Sequence, residues 1–159
     1  MPIAIRPCPP AAGHAVLHLL SAAGLPTADL APDRLDGFIV ATDGGTLLGA
    51  AALEIHGESG LLRSVAVAPG ERSRGIGGRL VDHLEGAAAR RGLRDLYLLT
   101  TTAAEWFARR GWERIDRAAA PAPVAASTEF AALCPSSAVC MRKVVAGQGP
   151  AGRGSTADG

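Results

Sequence analysis

A segment in the middle of the chain combines the residue types and the spacing that can hold a phosphate group. Residues 65–78 read Val-Ala-Val-Ala-Pro-Gly-Glu-Arg-Ser-Arg-Gly-Ile-Gly-Gly. An apolar stretch typical of a buried strand ends there, and an amphipathic helical pattern follows it. Backbone N–H groups at a helix N-terminus have no partner within the helix, and the helix dipole adds positive charge there. The segment therefore predicts a site for a phosphate or a pyrophosphate.

The side chains of this segment favour the same chemistry. Gly75, Gly77 and Gly78 let the backbone approach a phosphate without a Cβ in the way. Arg72 and Arg74 can add charge-assisted hydrogen bonds.

Two well-known phosphate loops do not fit the pattern. A nucleoside-triphosphate P-loop requires Gly-Lys-Ser/Thr, and this segment contains no lysine. A Rossmann fingerprint requires a glycine three positions after Gly77, where this chain has Leu80. The pattern that remains is Arg-x-x-Gly-x-Gly after a strand that ends in Val-x-Pro.

The elements that must position this loop follow from hydrophobic periodicity and from turn residues. They form an α/β (α+β) arrangement in which a mixed sheet is flanked by helices. The pattern predicts strands over 3–6, 37–42, 46–56, 61–68, 95–100, 112–116 and 139–145, helices over 11–23, 75–91 and 102–110, helical turns within 127–133, and a surface loop over 118–126.

Composition narrows the class of protein. The 159 residues suit one domain, with 48% hydrophobic residues for a core and a net charge of +1 that gives no basic field for nucleic acid. No apolar run is long enough to cross a membrane, and the N-terminus does not resemble a signal peptide. We expect a cytoplasmic domain over 1–146 with a disordered Gly-rich tail over 147–159, and neither nucleic-acid nor membrane partners.

From Ile3 to Val145 the chain resembles the GNAT acetyltransferase superfamily, mainly through Arg-x-x-Gly-x-Gly at 72–77. More narrowly it resembles the small arsenic-resistance N-acetyltransferases, and more distantly the acetyltransferase domain of N-acetylglutamate synthases. Leu-Leu-Thr-Thr-Thr-Ala at 98–103 and Leu-Cys-Pro at 133–135 carry these narrower resemblances.

The resemblance implies a GNAT fold with a mixed, mostly antiparallel sheet of six to seven strands, splayed at the two central strands, and acetyl-CoA as co-substrate. Backbone groups of Val65 and Val67 would pair with the pantetheine arm, and the Val65 amide would also stabilise the oxyanion of the reaction. The amides that would hold the pyrophosphate are those of Arg72, Ser73, Arg74, Gly75, Ile76, Gly77 and Gly78.

The implied acceptor is a small amino-acid-like amine, and glutamate-like and arsenic-containing analogues are among the candidates. A homodimer is one of the assemblies that the chain could form.

Arg63 lies in an otherwise apolar strand, where an unpaired cation would be costly. It either binds an anionic group of the acceptor, which we favour, or pairs with an internal carboxylate such as Glu54.

The sequence contains several candidates for the groups that transfer protons in the reaction. The superfamily often has a catalytic tyrosine four residues before the glycine at 111, and this chain has Phe107 there. Tyr97, the single tyrosine, is a candidate catalytic residue or a core residue. Glu54 is a candidate base acting through water, together with His56, or else part of a solvated strand edge.

Other reactive side chains are given structural interpretations. The three cysteines are irregularly spaced, so no disulfide framework is predicted. Cys134 and Cys140 are either a thiol pair for a soft metal or trivalent arsenic, or packing residues, and we expect no metal site. His14 and His18 fit the wet face of a helix.

Two other functions remain open at this point. One is acetylation of a protein N-terminus or lysine. The other is a non-catalytic acyl-CoA-binding module, which the absence of the usual tyrosine allows.

Overall fold

The computed structural model describes residues 3–71 and 74–146, and its strands form a seven-stranded sheet in the order β1-β2-β3-β4-β5-β7-β6. The β4–β5 pair is parallel, whereas β1–β2, β2–β3, β5–β7 and β6–β7 are antiparallel. The elements are β1 (Ala4–Pro7), α1 (Gly13–Ala22), β2 (Phe38–Asp43), β3 (Thr46–His56), β4 (Ser59–Val67), α2 (Ile76–Arg90), β5 (Asp95–Thr100), α3 (Ala104–Arg109), β6 (Glu113–Ile115), α4 (Ala122–Ala125) and β7 (Val139–Val144).

The predicted fold class is confirmed, and each predicted strand and helix begins and ends within two residues of its observed bounds. The surface loop predicted over 118–126 is wrong. That stretch contains a 3₁₀ turn at Arg117–Ala119 and the short helix α4. Its prolines indicated a loop, but proline is compatible with the first turn of a helix. The predicted disordered tail, 147–159, lies outside the described residues.

The chain divides into two compact units, one formed by 1–53 with 63–84 and the other by 54–62 with 85–159. In the first unit, α1 packs its apolar face against small and branched residues of the strands. The buried residues of this core are Val16, Leu19, Leu20, Phe38, Val40, Ala50, Ala52 and Ala66.

Gly49 allows the first turns of α2 to pack closely on the strands of the first unit. A Cβ at this position would lie 2.9 Å from the Ala66 carbonyl oxygen and 3.1 Å from the side chains of Ile76 and Leu80. Since the first of these neighbours is backbone, a larger residue would push the helix away from the sheet. The sequence thereby fixes where α2 begins relative to the end of β4.

The second unit is built around β5, which pairs in parallel with the start of β4 from Ser59–Asp95 to Leu61–Tyr97 and along its whole length with β7. Its core contains Leu61, Tyr97, Val124, Phe130 and Cys140.

A buried carboxylate, Asp95, links the strands of the second unit. It is 1% exposed and accepts hydrogen bonds from the Ser59 hydroxyl at 2.6 Å, the Tyr97 hydroxyl at 3.1 Å and Arg142 Nε at 3.0 Å. Burial by itself would raise the pKa of Asp95, but the hydrogen bonds from Ser59, Arg142 and Tyr97 outweigh it and lower the pKa. The ionised form is therefore the one that the fold stabilises.

Across residues 3–71 and 74–146, no helix combines the length and the apolar character needed to cross a membrane.

Asp95→Asn is expected to lower the free energy of unfolding at neutral pH by roughly 1–3 kcal/mol, because it leaves buried donors without an ionised acceptor. Since the folded-state pKa is lowered, the stabilisation is present above the unfolded pKa of about 3.9 and is lost as the pH falls through the folded value. Urea unfolding of both proteins between pH 7 and pH 3 checks this. A difference between them that stays constant down to pH 3 would contradict it.

Candidate cofactor-binding site

The end of β4 presents two partly exposed residues next to the predicted phosphate loop. Val65 and Val67 are partly exposed, while Ala66 between them is 4% exposed and belongs to the core. After the strand ends, the Ala68 amide donates to the Leu48 carbonyl at 2.8 Å, which ties the beginning of the loop to β3. Ala66 thus packs the strand into the core, whereas Val65 and Val67 lie on the side that a ligand can reach.

The loop turns from strand to helix through two left-handed glycines. Gly70 has φ +87° and Gly75 has φ +72°. The Arg74 amide donates to the Glu71 carbonyl at 3.2 Å, and the Arg79 amide donates to the Gly75 carbonyl at 3.1 Å. The structure thus contains the predicted order of strand, Gly/Arg loop and helix.

The space at Gly75 is open on the side where a side chain would project. A Cβ built there meets no atom of residues 3–71 and 74–146 within 4 Å. The amides of Ile76, Gly77 and Gly78 follow in the first turn of α2, where a helix presents N–H groups to an anion. These residues fit a phosphate, although their cofactor-binding role remains a prediction.

Arg74 lies on the surface beside this turn and pairs with two carboxylates. Its guanidinium is 2.8 Å from Glu71 Oε1 and 3.4 Å from Asp43 Oδ2. Arg72 and Ser73, which were predicted to act with it, lie outside the described residues.

Ser64 has an unusual backbone conformation directly before Val65. Its φ of +61° lies in the left-handed region, and among the described residues no other non-glycine residue has a positive φ. A left-handed residue inside a strand breaks the regular alternation and costs roughly 1–2 kcal/mol. Backbone strain of this kind clusters at functional sites, and here it determines the direction of the groups that follow it.

Arg63 pairs with Asp29, a residue that sequence reasoning missed. Its Nη1 is 2.6 Å from Asp29 Oδ2 and its Nη2 is 3.0 Å from Asp29 Oδ1, while Nε donates to the Ser64 hydroxyl at 3.1 Å. The Arg63 side chain is 1% exposed, and its hydrogen bonds lower the pKa of the Asp29 carboxyl. Asp29 is thus an internal carboxylate of the kind that the second interpretation of Arg63 requires. The predicted role of Arg63 in binding the acceptor is not tested by this pairing.

Tyr97 occupies the core of the second unit. It is 5% exposed, its hydroxyl donates to Asp95 and accepts from Arg142 Nε at 3.2 Å, and burial raises the pKa of its phenol. These contacts favour the core alternative over a catalytic role.

Phe107 lies where the resemblance implies a tyrosine, and its surroundings are aromatic. Its ring centroid is 4.8 Å from that of Trp106 and 5.7 Å from that of Trp112, both in edge-to-face contact. The side chain is 6% exposed and carries no exchangeable proton. It contributes packing to the second unit.

Glu54 and His56 form a pair at the end of β3. Glu54 Oε1 lies 2.9 Å from His56 Nε2, and both side chains are partly exposed. A carboxylate beside an imidazole can accept or relay a proton. The role of Glu54 as base stays a prediction.

The cysteines and histidines are spread over several elements. Cys140 is 2% exposed and burial raises the pKa of its thiol to about 11, so it is protonated at neutral pH. His14 and His18 are exposed on α1. Within residues 3–71 and 74–146, no three His, Cys, Asp or Glu side chains are placed to hold a metal ion.

A family model described as an acetyltransferase (GNAT) domain matches residues 34–114, which include β4, the Gly/Arg loop and α2. The chain belongs to the GNAT acetyltransferase family. The predicted class of domain, an acetyl-CoA-dependent acyltransferase domain, is confirmed by this membership.

Amino-acid acetyltransferases of Pseudomonas syringae pv. syringae and Neisseria meningitidis are 38% and 34% identical to this GNAT domain over 84 and 83 residues. These matches cover 50% and 51% of this chain but only 19% of the relatives, so the chain spans about a fifth of their length. The predicted distant relationship to amino-acid acetyltransferases is confirmed, and the arsenic-resistance subgroup stays a prediction.

Two solved structures have similar folds. N-acetylglutamate synthase from Neisseria gonorrhoeae, complexed with coenzyme A and N-acetyl-glutamate, has a TM-score of 0.78 and 22% identity, covering 91% of this chain and 35% of its own. Rv2747 from Mycobacterium tuberculosis, in complex with CoA and NLQ, has a TM-score of 0.75 and 25% identity, covering 89% and 98%. At 22% identity the first of these shows the fold alone.

The left-handed conformation of Ser64 generates a stability prediction. In an ordinary strand Gly is less stable than Ala by roughly 0.5–1 kcal/mol. At this position the order should be reversed, with Ser64→Gly more stable than Ser64→Ala by about 1 kcal/mol, because glycine adopts the positive φ without a steric cost. Thermal unfolding of the two variants measures the difference. The usual order, with Ala more stable, would show that Ser64 is not left-handed in solution.

Proposed function

We propose that this chain transfers the acetyl group of acetyl-CoA to the amine of a small, glutamate-like amino acid. The observation that carries the proposal is the sequence of β4, Gly/Arg loop and α2, with a left-handed glycine and open space at the start of the helix. Family membership supports the reaction. The names of the relatives, amino-acid acetyltransferases, support the class of acceptor.

In this proposal the pyrophosphate of acetyl-CoA binds at the first turn of α2. The amides from Gly75 to Gly78 donate to its oxygens, and the open space at Gly75 accommodates the phosphate. Arg74 exchanges its exposed contacts with Glu71 and Asp43 for the phosphate, to which a guanidinium binds more strongly than to a surface carboxylate.

The acetyl group reaches the acceptor by direct attack. The neutral amine nitrogen attacks the thioester carbonyl carbon, and the carbonyl oxygen becomes an oxyanion that accepts a hydrogen bond from the Val65 amide. The carbon–sulfur bond then breaks, the electron pair leaves with the coenzyme A thiolate, and the proton of the ammonium passes to a base. The products are an amide and free coenzyme A.

The acceptor class is testable by following thiol release from acetyl-CoA with a panel of amines. The panel contains glutamate, glutamine, an arsenic-containing glutamate analogue, alanine, arginine, and peptides with a free N-terminus or an internal lysine. We expect the highest kcat/KM with glutamate-like amino acids. Preference for a peptide would support the protein-acetylating alternative. Binding of acetyl-CoA without thiol release from any amine would support a non-catalytic module.

Gly75→Ala should weaken acetyl-CoA binding by about tenfold or more, because its Cβ would occupy the space proposed for the phosphate. Gly92→Ala is the matched control. Gly92 also has a positive φ, +81° against +72° for Gly75, and also faces open space, but it caps the other end of α2.

Both variants should lose a similar amount of stability without ligand, about 1 kcal/mol. At a given acetyl-CoA concentration, only Gly75→Ala should also show a smaller rise in melting temperature on binding than the original chain. Equal ligand-induced stabilisation of the two variants would show that the cofactor does not bind at this loop.

A further inference from the structure

We propose that Asp29 and Arg63 are positioning residues that hold Ser64 in its left-handed conformation and thereby fix the direction of the Val65 amide. This inference rests on the proposed function, since it concerns the amide to which we assign the oxyanion. It assigns to Arg63 a role different from binding the acceptor. It also gives a role to Asp29, which lies in the connection between α1 and β2.

A continuous set of hydrogen bonds joins Asp29, Arg63 and Ser64. Asp29 binds both terminal nitrogens of Arg63, at 2.6 and 3.0 Å, in the parallel geometry that fixes a guanidinium plane. The third nitrogen of that plane, Nε, donates to the Ser64 hydroxyl at 3.1 Å. One rigid group thus connects the loop that carries Asp29 to the side chain of the strained residue.

The backbone conformation of Ser64 is unusual for a residue in a strand. A serine in an ordinary strand adopts a negative φ, so the left-handed φ of +61° must be maintained by its surroundings. The ψ of Ser64 and the φ of Val65 set the direction of the peptide group between them, which carries the Val65 N–H. If Ser64 relaxed to the extended region, that N–H would turn away from its present direction.

The buried part of this network is the contact between Arg63 and Ser64. Arg63 is 3% exposed and Ser64 8% exposed, so water does not compete for the bond from Nε to the hydroxyl, whereas the Asp29 side chain is 19% exposed. An apolar pair of similar size is often as good for stability as an ion pair with a buried member. The Arg63 guanidinium also contacts Ser64, the residue before the proposed oxyanion donor, Val65. Such a contact would help to hold the Val65 N–H in a fixed direction, and a displacement of a catalytic group by about 1 Å can lower the rate a hundredfold.

The geometry also separates positioning from acceptor binding. Nη1 and Nη2 both donate to Asp29, and the Arg63 side chain is 1% exposed, so an anionic acceptor would have to reach a guanidinium that is already paired and buried. Acceptor binding by Arg63 predicts a selective rise in KM for anionic acceptors. Positioning predicts a fall in kcat that is the same for every acceptor.

The test uses the double variant Asp29→Leu/Arg63→Met, in which an apolar pair replaces the ion pair and no charge is left buried. We expect a folded protein that binds acetyl-CoA within about twofold of the original chain, with kcat lowered roughly 10- to 100-fold for all acceptors. Asp29→Asn, which removes the charge but keeps the shape, should lower kcat in the same direction. A loss confined to the KM of anionic acceptors would overturn the proposal.

A second measurement does not depend on activity. The Cα and Cβ chemical shifts of Ser64 report its backbone conformation by NMR, and they should change from left-handed to extended values in the double variant. Left-handed shifts in the double variant would overturn the proposal. If the original chain transfers no acetyl group at all, the proposed function fails, and the Ser64 shifts still decide whether Asp29 and Arg63 hold that residue.

Substitutions at Ser64 supply the matched pair of variants. Added to the double variant, Ser64→Gly should recover part of the lost kcat, because glycine adopts a positive φ without the guanidinium. Ser64→Ala, which has no hydroxyl and retains the steric cost, should recover none. Equal kcat for the two triple variants would overturn the proposal.

Discussion

The charge of Arg63 inside strand β4 constrains much of the first unit. A guanidinium can be buried only if its donors are bonded, because the loss of hydration is otherwise too costly. Asp29 meets this requirement with two short hydrogen bonds, which fix a residue of the long connection between α1 and β2 onto the strand. The same group contacts Ser64, whose left-handed backbone precedes the part of β4 nearest the Gly/Arg loop. One ion pair therefore joins that connection to the strand next to its left-handed residue.

The second unit contains a buried anion, Asp95, whose charge must likewise be compensated by hydrogen bonds. Asp95 joins the first residues of β5 and β4 to β7 through Ser59 and Arg142, and it also binds the Tyr97 hydroxyl. The phenol is thus engaged in holding strands together, and burial keeps it protonated by raising its pKa. A residue that was attractive as a catalyst, because it is the single tyrosine, is better explained by the polar contacts of the core. Its proton is engaged with Asp95, and a catalytic role for Tyr97 stays an untested prediction.

Much of the fold could be predicted from the sequence because the signals are local. Apolar runs between turn residues indicated β3 and β5, and the glycine spacing after Pro69 indicated the turn from strand to helix. The partner of Arg63 could not be predicted, since Asp29 lies 34 positions away in a stretch without periodicity, where Asp33 and Asp36 were equally available. The left-handed Ser64 also has no local signal, because serine is common in both strands and turns. The details of the site that sequence reasoning missed are thus the ones that depend on long-range contacts.

The presence of Phe107 in place of a tyrosine raises the question of which proton transfer the proposed reaction requires. A thiol resembling that of cysteine has a pKa of about 8.5, so its thiolate is a good leaving group. Once the attacking nitrogen has lost its proton, it could leave only as a strongly basic amide anion, and the tetrahedral intermediate therefore expels the thiolate with little help from an acid. The step that needs the protein is removal of the ammonium proton, together with stabilisation of the oxyanion before it collapses. A packed aromatic residue in place of a tyrosine is thus compatible with the proposed reaction, in which oxyanion stabilisation by the Val65 amide and proton removal by Glu54 both stay predictions.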